Sequence, residues 1–328
     1  DSVEFLENSI TAELRLEKGP EIIIDTIYIK TNEKIEIKTV YNFIKLKPGD
    51  QYNEQTLSEI AVRIKEIPYW NEVKPVELEF VNNKCNVYVY LKSSKSNNFN
   101  GVLGLQPDQN GKIGLTGDVK VKLLNGFFKG EMISFNWRKT QQLTQDLDIA
   151  FNYPFLFNTP FGIDTKASIY KKDTSFVDAD FNIGVDYIFS GLNKITLFYE
   201  NKNASLLSTK KYESVTTLPD FADITKNNYG VKLEAEKLDY RFNPRKGFSI
   251  NVLGSVGFKK IKRNQALPQN LYDDLKLNTF VYNSEGIVRW FIPIRKRSTI
   301  LLKLRGATFY NENIFTNELF RLGGVNTI

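Results

Sequence analysis

Covalent chemistry near neutral pH needs groups that can take up or release a proton there, and this chain is poorly supplied with them. Its 328 residues include no histidine, one cysteine and one methionine. That count excludes a Ser-His-Asp triad, a Cys-His dyad, the usual zinc site and a disulfide framework. Cys85 lies in "NKCNVYVYL" among strand-forming residues and reads as a packed thiol, not a reactive one. The residues therefore point away from an enzyme, a cofactor or a metal, and toward a protein that works through its surfaces.

Those surfaces are charged, but not in the manner of a nucleic-acid binder. The 44 Lys and Arg are interspersed with 38 Asp and Glu, for a net charge of +6. Only "FKKIKR" (258–263) and "IRKRS" (294–298) are basic clusters. With no nucleic-acid motif beside them, both read as solvated loops between strands, and nucleic acid is not an expected partner. Aromatics are abundant, with 24 Phe and 16 Tyr. No apolar run approaches the roughly 18 residues of a membrane helix, and no signal peptide is recognisable. A membrane barrel remains open, since its strands need only about 10 alternating residues.

The elements that must position these residues change character near residue 95. In the first part, "PEIIIDTIYIK" (20–30) predicts a strand and "IEIKTVYNFIKL" (35–46) a short helix. After the Pro-Gly break at 47–50, "NEQTLSEIAVRIKEI" (53–67) sets Leu57, Ile60, Ala61 and Ile64 on one face of a helix that Asn53 can cap. Two strands follow, 73–81 and 85–92, joined by "NNK". The order strand, helix, helix, strand, strand predicts two helices covering one face of a small sheet. Residues 1–17 read as a hairpin that ends a preceding copy of the same unit, which suggests tandem repeats. Residues 93–98 read as the linker.

From residue 99 onward strict alternation takes over. In "FVDADFNIGVDYIF" (176–189), Val177, Phe181, Ile183, Val185 and Tyr187 lie on one face and Asp178, Asp180, Asn182 and Asp186 on the other. A soluble sandwich also alternates. Against it stand segments of ten residues and more that carry charges in mid-strand, and these favour an apolar face toward lipid with a polar face toward a wet lumen. Aromatics at segment ends, such as Phe155 and Phe157, Tyr187 and Phe189, or Trp290 and Phe291, read as interfacial girdles. Eleven such segments can be counted between residues 99 and 310, an odd number where single-chain bacterial barrels have even ones.

The order of these features resembles the superfamily of outer-membrane barrel-assembly and translocation proteins that includes BamA, TamA and the two-partner secretion translocators. Residues 18–92, with "LKPGDQYNEQTL" (46–57), resemble its last POTRA domain. "FNYPFLFNTPFG" (151–162) resembles its proline-bearing fourth-strand turn, and "LDYRFNPRKGFS" (238–249) its Asp, Pro and basic-Gly hairpin. The final "FRLGGVNTI" resembles the approach to its sixth extracellular loop, through Arg321, Gly323 and Gly324, and stops before that loop's Arg-Gly-aromatic tip.

The resemblance implies an α+β POTRA module followed by an antiparallel transmembrane β-barrel at 99–328, with about eleven of an expected sixteen strands present. It implies an outer-membrane location with the module in the periplasm. The expected partners are unfolded outer-membrane protein clients, the lipid bilayer, and periplasmic or lipoprotein accessory subunits. Two functions stay open: an assembly factor inserting barrels through a lateral seam, and a translocator passing a polypeptide through the lumen. Some relatives carry a fused patatin-like lipase, but no Gly-x-Ser-x-Gly elbow occurs here. On either reading the exposed backbone matters. Val73, Val76, Leu78 and Phe80 on strand 73–81 are the candidate edge for adding a client strand. Phe99, Gly101, Leu103, Gly104 and Pro107 are the candidate first strand of the seam, weakened by its glycines and proline.

Overall fold

The computed structural model describes residues 3–6 and 9–12 by backbone alone, and residues 19–107, 111–139, 141, 143–208, 220–239, 243–295 and 297–320 in full. At the start, β1 (Val3–Leu6) and β2 (Ser9–Ala12) pair as an antiparallel hairpin.

The first layered unit follows. It holds β3 (Ile23–Lys30), α1 (Ile37–Ile44), α2 (Glu54–Glu66), β4 (Trp70–Glu72), β5 (Glu77–Val81) and β6 (Lys84–Ser93). β6 is its centre, because Cys85, Val87, Val89 and Leu91 are all buried while the residues between them face away. It pairs with β3 in parallel on one side and with β5 and β4, end to end and antiparallel, on the other. Asn82 and Asn83, both at positive φ, make the tight β5–β6 turn. The helices cover one sheet face. Asn53 caps α2 by accepting from the Thr56 backbone N–H at 3.1 Å, and Leu57, Ile60 and Ile64 point into the core as their spacing requires. Ile24, Val40, Phe43, Ile44 and Ile67 complete that core.

The rest is one sheet of eleven strands, each antiparallel to the next in chain order: β7 (Asn98–Pro107), β8 (Ile113–Leu124), β9 (Met132–Lys139), β10 (Gln145–Tyr153), β11 (Phe161–Lys172), β12 (Phe176–Ser190), β13 (Asn193–Leu206), β14 (Ile224–Leu238), β15 (Gly247–Ile261), β16 (Asn278–Arg295) and β17 (Ser298–Tyr310). The expected segments fall on these strands with end shifts of only a few residues. Register keeps each strand's faces in line: Val185 opposes Ile163 and Leu197, and Asp186 opposes Thr196. One face is apolar and exposed, with Ile183 at 43%. The other is charged and largely covered. No helix among the described residues is long and apolar enough to cross a membrane, which says nothing of crossing by strands.

Candidate functional site

Three features could do work: the outer edge of the α+β module, the free edge of the large sheet, and the inner wall with the segment that follows β17.

At the module, the expected edge strand over 73–81 is shorter than its residues suggested. β5 covers only Glu77–Val81, and Val73 and Val76 lie outside it. Pro75 is the reason: it has no N–H to give to the ladder, so the chain breaks between β4 and β5. Val73 still donates its backbone N–H to the Tyr90 carbonyl at 3.0 Å, while its side chain is 64% exposed. Val76 instead packs against the core. Leu78 and Phe80 do sit on β5 and are exposed, with Phe80 edge-on to Tyr52 at 5.3 Å. Among the described residues β5 pairs only with β6, and its other side has no partner. The opposite sheet face carries a polar ladder. Glu79 accepts from the Tyr88 hydroxyl at 2.8 Å and Glu77 from the Tyr90 hydroxyl at 2.6 Å. That bond to Glu79 pushes Tyr88 up to about 12, and the Lys74 ammonium holds the Glu77 carboxyl below the usual range.

At the large sheet, β7 pairs with β8 along its whole length, from Asn98 opposite Lys122 to Pro107 opposite Ile113. Gly101 and Gly104 do not interrupt the ladder, and a Cβ at either would meet nothing closer than 3.4 Å. Their expected weakening concerns the seam on the other side of β7, not this pairing with β8. The other side of β7 has no partner among the described residues. Phe99 and Leu103, 76% and 63% exposed, project from this edge strand on the apolar face with Gly101 and Pro107, and Gly104 lies on the opposite face. β17 is likewise paired on one side only.

Arg321, Gly323 and Gly324 lie outside the described residues. The segment before them carries the most buried ionic site among the described residues. Glu318, in a 3-10 turn at Thr316–Glu318, is held between two lysines of the sheet's inner face, Lys226 at 2.7 Å and Lys259 at 2.5 Å. Asn311 accepts from Lys259 at 3.2 Å, and Asn317 donates to the Ala222 carbonyl at 3.0 Å. Sequence reading missed this site and placed Lys259 in a solvated loop. Its signal was present: in "FKKIKR" the residues alternate as strand, so Lys259 had to face away from Phe258 and Lys260. Across β10–β13 the inner wall also pairs its charges. Asp186 accepts from Thr196 at 2.6 Å, and from Lys194 and Asn152 at 2.8 Å each. Lys194 reaches Asp164 at 3.0 Å as well.

Module and sheet are not independent bodies joined by a string. Phe155, expected in an interfacial girdle, is buried in the module core, edge-on to Phe43 at 4.7 Å. It reaches there from the 154–160 turn, where Phe155 and Phe157 both adopt positive φ. Gly130, at φ 80°, brings the 125–131 turn against Phe43 and Tyr69, where a Cβ would come within 2.6 Å of the Tyr69 hydroxyl. Lys45 donates to the Phe189 carbonyl, and Glu66 fills the space beside Gly191. Three hairpins thus seat the module on one end of the sheet. Asp239 organises another hairpin at that end, accepting from the Arg245 and Lys246 backbones at 2.9 and 3.1 Å.

No protein-family model and no curated protein matches the chain. Among solved structures it is similar to CdiB from Acinetobacter baumannii, with 12% identity over 94% of this chain and 56% of that one and a TM-score of 0.53. BamA from Haemophilus ducreyi lacking POTRA domains 1–3 matches with 13% identity, 99% and 63% coverage and a TM-score of 0.48. CdiB from Escherichia coli matches with 10% identity, 97% and 74% coverage and a TM-score of 0.42. The likeness is one of fold: an α+β unit followed by a large antiparallel sheet, eleven strands of it among the described residues. It resembles part of the A. baumannii CdiB chain in fold. The present chain spans 56% of that protein and 63% of the BamA chain.

Proposed function

We propose that this chain is part of an outer-membrane protein assembly factor, in which residues 18–92 act as a periplasmic POTRA module and the sheet as the wall of a barrel. The module captures an extended client along β5, main chain to main chain. The seam at β7 then opens to receive client strands, so that a new barrel grows into the bilayer by strand pairing, with no cofactor and no covalent step. The observation that carries this reading is a sheet wall that is apolar outside and charged inside, seated on an α+β module whose β5 has no second partner among the described residues. In lipid, unpaired backbone is costly until another strand satisfies it. Accessory periplasmic subunits or lipoproteins fit the exposed Leu78 and Phe80.

The second reading, a translocator, draws on the charged inner wall and the likeness to CdiB. It requires the Glu318 segment to leave its two lysines before a polypeptide can pass. A cross-link separates the two. In the full-length protein with Cys85 changed to Ala, a cysteine at Gly104 is paired with one on the strand that closes against β7, which needs Cα atoms within about 7 Å. Client insertion lost on oxidation and regained on reduction is expected. Full insertion by the locked protein would move the assignment to the translocator.

A further inference from the structure

The apolar outer face is not continuous. Across β13 and β14 it is interrupted by Asn201, Asn203, Thr225 and Asn227, all on the same face as Leu197 and Val231. These side chains bond to one another in a directed chain. Thr225 donates to Asn203 at 2.7 Å, Asn203 to Asn201 at 2.6 Å, and Asn201 to Asn227 at 2.8 Å, while Tyr199 also donates to Asn227 at 2.7 Å.

This is not simply the rim of the barrel. The register runs Phe181, Asn201, Asn227, Phe258, Phe280 across five strands. Strands of a barrel tilt by about 35–45°, so height changes steadily along such a row. With exposed phenylalanines at both ends of the row, the two asparagines lie between apolar levels. The next row, Ala179, Asn203, Thr225, Lys260, Asn278, becomes polar at Lys260. Among the described residues the result is a polar notch in the apolar belt, on the side of the sheet away from the α+β module.

The chemistry of the notch is donor-rich. The carboxamide oxygens of Asn201, Asn203 and Asn227 are spent within the chain, whereas the Asn227 amide group and the Lys260 ammonium have no side-chain partner among the described residues. The carboxylate next along that face, Asp223, is already engaged, accepting from the Leu206 backbone N–H at 2.7 Å and the Asn264 amide at 2.6 Å; the outward neighbours of the asparagines include Phe181, Tyr229 and Phe258. Unspent donors within a lipid belt are costly unless an acceptor meets them. Amides beside an ammonium suit a ligand rich in hydroxyl and phosphate oxygens.

We infer that strands β13 and β14 form a binding notch for the phosphorylated saccharide headgroup of an outer-leaflet glycolipid. This rests on the outer-membrane reading, which places that end of the sheet in the outer leaflet. The headgroup takes the free amide donors, its phosphate pairs with Lys260, and its acyl chains lie against Phe181 and Phe258. The bilayer is thereby anchored at a fixed point away from β7.

The test titrates bisphosphorylated lipid A, with phosphatidylglycerol as control, into detergent-purified full-length protein and reads retained lipid by native mass spectrometry. One lipid A per protein is expected, with at least a tenfold preference over phosphatidylglycerol. Asn201→Leu/Asn203→Leu/Asn227→Leu should lose that preference. The variant extends the apolar belt, so its heat-resistant mobility in gels and its client insertion should be unchanged. Lys260→Gln should weaken lipid A alone. Equal retention of lipid A by the triple variant overturns the inference, as does equal binding of phosphatidylglycerol, or a dimer that the triple variant dissolves. Failure of the unsubstituted protein to insert into bilayers would instead remove the outer-membrane reading beneath it.

Discussion

Ile183 and Asp186 stand three residues apart on β12 and face different surroundings. Ile183 is exposed on the apolar face, and Asp186 is buried against Thr196, Lys194 and Asn152. One rule, that successive side chains of a strand point to opposite faces, separates them. Replacing Ile183 with Arg should cost about 2–4 kcal/mol of folding free energy if the site lies near the bilayer midplane. Urea titration of the protein refolded into vesicles measures this, and an unchanged midpoint would contradict a lipid-facing Ile183. Asp178 and Asp186, read from alternation as inward, are both buried, and Asp180 pairs with Lys202 at 3.3 Å on that same inner face. These assignments were legible in the sequence because a one-residue slip would have moved every one of them to the wrong side.

Among the elements, those that bury a periodic face were legible and those held by distant partners were not. α2 could be read from Leu57, Ile60 and Ile64, whereas the break at Pro75 went unread in the expected strand 73–81, although a proline cannot donate to a ladder. Phe155 could not be placed by pattern, since its partner Phe43 lies more than a hundred residues away and only the folded chain joins them. Removing that joint should be felt at both sides. Phe155→Ala is expected to cost about 3–5 kcal/mol, as for other large-to-small changes in a core. Hydrogen exchange should then quicken in α1 and in the 125–131 turn, with β14–β16 unaffected; uniform quickening would mean that Phe155 serves the sheet alone. Glu318 was hidden for the same reason, and it can be tested in a similar way. Glu318→Gln leaves Lys226 and Lys259 without their shared carboxylate, a change that costs about 3–5 kcal/mol when the cation stays buried. The 311–320 segment should then swing free. Limited proteolysis within it should accelerate in the variant, and an unchanged cleavage rate would show that the asparagines at 311 and 317 hold the segment by themselves.

For the whole molecule, the arithmetic of crossings has an outcome that no single residue records. Eleven antiparallel strands reverse the chain ten times, so the backbone enters β7 beside the α+β module and leaves β17 at the opposite end. An even number would have returned it to the same compartment. In a sealed membrane this parity gives the chain sidedness: exposed residues 32–34 of the module and exposed residues 312 and 314 after β17 face different aqueous phases. A protease site engineered at each position turns that into a measurement. With all molecules inserted in one orientation, protease outside the vesicles should cut one site and spare the other until the membrane is permeabilised. Cleavage of both in intact vesicles would mean that the strands do not traverse the bilayer at all.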